Sequence, residues 1–190
     1  GDGGIGDSGG IAGWIPRLRA HGATAIALSP IHASMPIGSG FSPYSPSDRR
    51  WLEPRHGAPL QPLPEAAAAV RAADAELDAR LAAHEADGQI RWADAAAAKW
   101  QWIGRLPAWL QTHRPERWRQ IESELAAGGA PLASWAAQTA ALSRSPASLQ
   151  AFGQWLAQAS WRQLQHDARQ DGMAIGLIAD LAVGVDPAGV

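Results

Sequence analysis

The segment Gly40-Phe41-Ser42-Pro43-Tyr44-Ser45-Pro46-Ser47-Asp48-Arg49-Arg50-Trp51 holds the only phenol of the chain between two prolines, with two arginines and a tryptophan just beyond. Proline fixes its own φ and restricts the residue before it, so such a loop can hold the Tyr44 ring still. A fixed ring beside the hydroxyl of Ser42 suits a pyranose, whose C–H face packs on an aromatic while its hydroxyls take hydrogen bonds. The same residues equally make a turn-rich surface loop whose Tyr44 packs on the body. Asp180 is the second candidate, because it lies inside the apolar run Ala174-Ile175-Gly176-Leu177-Ile178-Ala179-Asp180-Leu181-Ala182-Val183-Gly184-Val185. A carboxylate there costs free energy unless it is hydrogen-bonded or stands at a strand end. The carboxyl end of a parallel strand is where barrel enzymes keep their chemistry. The plainer alternative is a structural aspartate that accepts from backbone amides at the strand terminus.

Other chemistries find less support. His21, His32, His56, His84, His113 and His166 show neither His-x-x-His nor His-Glu-x-x-His spacing, so no metal site is expected and each reads as an ordinary surface or packing histidine. No Gly-x-x-x-x-Gly-Lys loop is present, and the glycines of residues 1–10 follow no visible strand, which argues against a nucleotide cradle. Sixteen basic against eighteen acidic residues give a net charge of −2, so no general attraction to nucleic acid or anionic lipid is expected. No window reaches the roughly 18 apolar residues of a membrane helix. The absence of cysteine removes disulfides, thiolate metal sites and cysteine nucleophiles together, and fits a reducing compartment such as the cytoplasm. Trp92, Trp100, Trp102, Trp109, Trp118 and Trp135 are spread through the middle of the chain and read as packing between helices rather than as sugar platforms. Lys99 is the one lysine, and alanine tracts at 66–69 and 95–98 fill surface-like positions; both read as codon bias.

The elements that must position Tyr44 and Asp180 can be sketched from periodicity. The glycine-rich start is a loop feeding a helix with Ile11, Trp14, Ile15 and Leu18 on one face, Asp7 or Ser8 as N-cap, Gly22 as its stop and a kink at Pro16. Residues 23–30 and 174–185 have the apolar character of strands covered on both faces. Residues 30–64 are rich in Pro, Gly and Ser with little periodicity and read as a long excursion. Residues 64–170 are helical, broken at Gly88, Pro107, Pro115 and 128–131; the last helix starts with Ser145 as cap and Pro146 first, and ends near Gly172. A crossover between parallel strands needs about 30 residues and roughly 140 separate these two, so the helices form an insertion. In 190 residues, 46% of them hydrophobic, there is enough chain for a core. Two strands with about one and a half helices cannot close a barrel of about 250 residues, so a piece of a larger body is expected.

Read together, Gly4-Ile5-Gly6-Asp7, Ala27-Leu28-Ser29-Pro30-Ile31-His32-Ala33, Ser42-Pro43-Tyr44-Ser45-Pro46-Ser47-Asp48-Arg49-Arg50-Trp51-Leu52 and Ile175-Gly176-Leu177-Ile178-Ala179-Asp180-Leu181-Ala182-Val183-Gly184-Val185 resemble, in order and at fitting distances, the amylomaltases. These are 4-alpha-glucanotransferases of glycoside hydrolase family 77. The likeness is specific at the two ends; the middle matches in helical character and in Gln154-Trp155-Leu156. It implies an α/β fold, a partial (β/α)8 TIM barrel with helix 1 and strands 2 and 3, and a large helical insertion. Residues 1–63 would be the barrel segment with its substrate loop, 64–170 the insertion and 171–190 the third strand. By the same resemblance Ser42, Tyr44 and Asp180 would bind the donor-side sugar of a maltooligosaccharide or other α-1,4-glucan, with no cofactor. Catalysis would be a retaining double displacement by carboxylates on later strands, beyond residue 190, leaving the isolated chain inactive. Another α-amylase-clan hydrolase and a noncatalytic helical glucan-binding module are the alternatives. Three features depart from the family pattern: Pro16 within the first helix, Ala179 where glycine or arginine is common, and Ser34-Met35-Pro36-Ile37 where an aromatic often occurs.

Overall fold

The computed structural model describes residues 1–35 and 42–190. The glycine loop at the start uses positive φ at Gly3, Gly4 and Gly6 and leads into α1 (Ser8–Ala12), capped by Asp7, whose Oδ1 accepts from the Gly10 amide at 3.1 Å. The single kinked helix expected over Ile11–Leu18 is instead two: α1 ends at Gly13 and α2 (Ile15–Ala20) begins anew with Pro16 in its first turn. Proline lacks the donor that the first turn does not need, so it starts a helix where it would have broken one. Gly22 at φ +83° closes α2 in a Schellman motif, with Ala23 N–H donating to Leu18 O at 3.0 Å and Gly22 N–H to Arg19 O at 2.9 Å. The chain then enters β1 (Ala25–Ala27).

The stretch expected to lack regular structure contains β2 (His32–Ala33) and β3 (Asp48–Leu52), paired antiparallel with His32 opposite Leu52 and Ala33 opposite Asp48. The register jumps between those two adjacent residues, which leaves no period-2 signal to read. A 3-10 turn (Pro54–His56) leads to the helical layer: α3 (Pro64–Ala72), α4 (Ala75–Ala86), α5 (Trp92–His113), α6 (Pro115–Ala127), α7 (Gly129–Ser143) and α8 (Ala147–Gln170). Pro107 lies inside α5 and does not break it, contrary to expectation. One lost hydrogen bond is outweighed because Trp102, Ile103, Leu106 and Leu110, on both sides of the proline, are all at most 2% exposed. Ser145 does not cap α8; Pro146 stands before its first turn and its carbonyl accepts from Leu149 and Gln150, while the Ser145 hydroxyl accepts from the Gln150 side chain at 2.6 Å.

After α8 the ending of α2 recurs. Gly172 at φ +91° and Met173 N–H to Ala168 O at 2.9 Å make a second Schellman motif, and the chain enters β4 (Gly176–Ile178). β1 and β4 pair in parallel, Ala25 with Gly176 and Ala27 with Ile178, as the two apolar runs imply. Both strands are only three residues long, shorter than expected, and Ile178 and Val183 are 46% and 93% exposed rather than covered. Beyond Ile178 the main chain leaves the sheet and runs along residues 44–49 instead.

The largest core lies among the helices around Trp102, Phe152 and Leu156, and a second, with Ile15, Trp161, Leu164 and Met173, seats α1, α2 and the β1–β4 pair on α8. Trp102 and Trp135 are buried, which agrees with tryptophan as packing. The alanine tracts are not surface filler throughout: Ala66, Ala67, Ala95 and Ala98 are 0–2% exposed and let the helix axes come close. α8 also holds β3, because the fully buried Gln154 accepts from Leu52 N–H at 3.1 Å and donates to Leu52 O. Gln154→Leu leaves both Leu52 groups without that partner and is expected to cost about 1–3 kcal/mol. The check is a lowered denaturant midpoint at unchanged slope.

Candidate functional site

The residues around Tyr44 are built outward from β2. Ser47, 5% exposed, donates its amide to Ala33 O at 2.8 Å, and its hydroxyl lies 3.2 Å from the carbonyls of Ala33 and Ser34. Asp48, 4% exposed, accepts from the amide of Arg50 at 2.7 Å and from its guanidinium at 3.0 Å. Burial acts to raise the Asp48 pKa, but these Arg50 bonds outweigh it and hold the carboxyl below its usual range. Ahead of this anchor, Ser42 O accepts from Ser45 N–H at 3.2 Å, and the Ser42 hydroxyl accepts from the Tyr44 amide at 3.3 Å. Tyr44 is 61% exposed and does not pack into the body. Residues 36–41, Phe41 among them, lie outside the described ones.

Asp180 is exposed and stands two residues beyond the last β4 residue, at the carboxyl end of the strand. The chain after it is fastened to the Tyr44 loop and its flanks. Asp186 N–H donates to Pro46 O at 2.7 Å, Arg49 donates to the carbonyls of Ala182 and Val183 at 3.2 and 3.1 Å, and a β-carbon on Gly184 would sit 3.6 Å from Tyr44 O. Ser42, Tyr44 and Asp180 are all exposed, and it is residues 182–186, beyond Asp180, that touch the Tyr44 loop and its flank. His32, read from the sequence as ordinary, accepts from the Ala182 amide through Nε2 at 3.3 Å. Burial lowers its pKa most and Arg49 next, while Asp180 and Asp48 act to raise it; the net direction is downward.

A cavity of about 400 Å³ borders the loop at Pro43 and is lined further by Asp7, Trp14, Pro30, His56 and Trp161; Tyr44 and Asp180 are not among its lining residues. Two buried ion pairs support the surroundings, and the sequence reading missed both. Lys99 Nζ lies 2.6 Å from Asp7 Oδ2 with both side chains at most 2% exposed, and burial pushes the Lys99 pKa down. Glu53, fully buried, pairs with Arg55 and accepts from the Ser34 amide at 3.0 Å. The one lysine of the chain was the available signal for the first pair; the second has none, since Glu53 and Arg55 read as loop charge. Among the described residues no group of three or more His, Asp or Glu is arranged to hold a metal ion, and no helix is long and apolar enough to cross a membrane. The exposed groups of this region are the Tyr44 ring, the Ser42 hydroxyl and the Asp180 carboxylate, groups of the kind that bind polyhydroxylated ligands.

A family model described as 4-alpha-glucanotransferase matches residues 1–140. Among solved structures, the chain is similar to amylomaltase from Corynebacterium glutamicum, at 28% sequence identity and a TM-score of 0.77. The match covers 98% of this chain and 29% of that one, so the present residues span less than a third of that protein.

Proposed function

The chain belongs to the 4-alpha-glucanotransferase family, and on that premise we propose that it is the part of a glucan-transferring enzyme that binds the donor-side sugar. In this reading β1 and β4 are the second and third strands of a (β/α)8 barrel, residues 64–170 are an insertion between them, and 1–63 and 171–190 are barrel segments. The observation that carries it is the convergence of the Ser42–Tyr44 loop and the chain after Asp180 at the carboxyl end of a parallel strand pair. That end is where such barrels bind substrate.

Tyr44 offers a ring face to a pyranose, Ser42 a hydroxyl, and Asp180 a carboxylate that accepts from sugar hydroxyls. Transfer proceeds through a covalent glucosyl-enzyme: a carboxylate attacks the anomeric carbon, an acid protonates the departing oxygen, and the 4-hydroxyl of a second glucan takes the sugar. These reacting carboxylates belong to strands other than β1 and β4. The substrates are maltooligosaccharides and related α-1,4-glucans, and the setting is the cytoplasm, which the lack of cysteine supports.

The 190 residues alone are expected to release no glucose from maltotriose, whereas the enzyme containing them yields glucose and longer maltooligosaccharides by chromatography. Turnover by the chain alone overturns the assignment. In the active enzyme Asp180→Ala removes a charged hydrogen-bond acceptor and is expected to lower kcat/KM about 10- to 100-fold. An unchanged kcat/KM removes Asp180 from the site.

A further inference from the structure

We propose that His32 and Arg49 are positioning residues that clamp the peptide groups of Ala182 and so set where the Asp180 carboxylate stands, the clamp opening when the His32 ring takes up a proton. The proposal rests on the sugar-binding reading of Asp180. The two clamping side chains come from β2 and β3, far from Ala182 in sequence. His32 Nε2 takes the Ala182 N–H at 3.3 Å, and Arg49 Nη1 gives hydrogen bonds to Ala182 O at 3.2 Å and Val183 O at 3.1 Å. Ala182 is 1% exposed, whereas its neighbours Leu181 and Val183 are 65% and 93% exposed. β4 has ended at Ile178, so no strand ladder holds this stretch, and side chains supply the partners that a buried peptide requires. Asp180 thus sits on a short bridge fixed by the sheet at one end and by His32 and Arg49 at the other.

An Nε2 that accepts belongs to a neutral imidazole carrying its proton on Nδ1. Protonation turns Nε2 into a donor, which faces the Ala182 N–H and cannot bond it. The charged groups around the ring are Arg49 and Asp48 from β3 and Asp180 from the chain beyond β4. Burial first and Arg49 next depress the histidine pKa against the pull of the two carboxylates, so the ring is neutral at pH 7. On protonation, the ring attracts the Asp180 carboxylate it formerly only positioned, drawing it away from a bound hydroxyl.

The test is NMR of the enzyme containing this chain, 15N-labelled at histidine and alanine, titrated downward from pH 8, with maltotriose as the sugar probe. At pH 7.5 the His32 ring should show the Nδ1–H tautomer, and the Ala182 amide should shift with the same midpoint as the His32 ring. His32→Gln places a non-titrating acceptor near Nε2 and should keep the Ala182 resonance while abolishing its pH dependence; His32→Leu should displace it at every pH. Maltotriose affinity should fall about 10-fold in His32→Leu, the loss of one hydrogen bond, and recover to within about 3-fold in His32→Gln. An Nε2–H tautomer, or an Ala182 amide indifferent to the His32 titration, overturns the clamp. Maltotriose affinity that is unchanged in His32→Leu, with the linked titration still present in the parent enzyme, refutes the sugar reading and leaves the clamp in place.

Discussion

Asp7→Ala is expected to cost about 3–5 kcal/mol of folding free energy, because it leaves the Lys99 ammonium buried without its partner. Lys99 is fully buried, 2.6 Å from Asp7 Oδ2, and joins the glycine loop at the start of the chain to α5, 92 positions later. The same carboxylate caps α1, so about 1 kcal/mol of cap free energy goes with it. The double variant Asp7→Asn with Lys99→Met keeps a capping side chain and buries no charge; it is expected within about 1 kcal/mol of the parent, since an apolar replacement of a buried pair is often neutral. Equilibrium unfolding in guanidinium measures all three. A cost below about 1 kcal/mol for Asp7→Ala alone, within the range of exposed pairs, shows that the pair is hydrated and does not tie the loop to the helices.

Acid should unfold the protein through two groups near the 3-10 turn. Burial acts to raise the Glu53 pKa, but Arg55 and the hydroxyl of Ser34 overcome it and bring the carboxyl to about 2 from an ordinary 4.5. Burial pushes His56 down to about 4 from 6.5, Lys99 and Arg55 acting in the same direction and Glu53 and Asp7 against it. Both folded-state values lie below the unfolded ones, so in each case the unfolded chain binds the proton more tightly and stability falls as pH falls. The His56 contribution is complete above pH 6.5 and is lost toward pH 4; the Glu53 contribution is complete above pH 4.5 and is lost toward pH 2. The two groups act on each other, so their contributions are not independent. Denaturant midpoints from pH 7 to 3 should decline in two limbs, and His56→Gln should flatten the upper one. Midpoints that stay level to pH 3 contradict the burial of both groups.

The parts of this fold that could be read from residues are those set by local chemistry. The capping Asp7, the Schellman glycines Gly22 and Gly172, and the parallel pairing of two apolar runs each follow from a backbone or solvation rule acting over a few residues. The misjudged elements were decided by distant packing. Pro107 sits in a continuous helix because four apolar side chains of α5 are buried around it, and β2 finds β3 through a register jump that erases alternation. The candidate site divides in the same way. Ser42, Tyr44 and Asp180 are conspicuous by type and setting, whereas His32 and Arg49 acquire their relation to Ala182 only when a chain segment some 130 to 150 positions away folds back onto them.

The indole of Trp102 donates to the carbonyl of Ala67 at 3.1 Å, across the crossing of α5 and α3. That bond exists because position 67 carries a single methyl and is wholly enclosed, so a longer side chain there would hold the two helices apart. Drift toward other small apolar codons is therefore blocked at 67 and open at 68, one step along the same tract, where the side chain faces solvent. What looks like a monotonous run of one amino acid is, position by position, a mixture of indispensable and interchangeable residues.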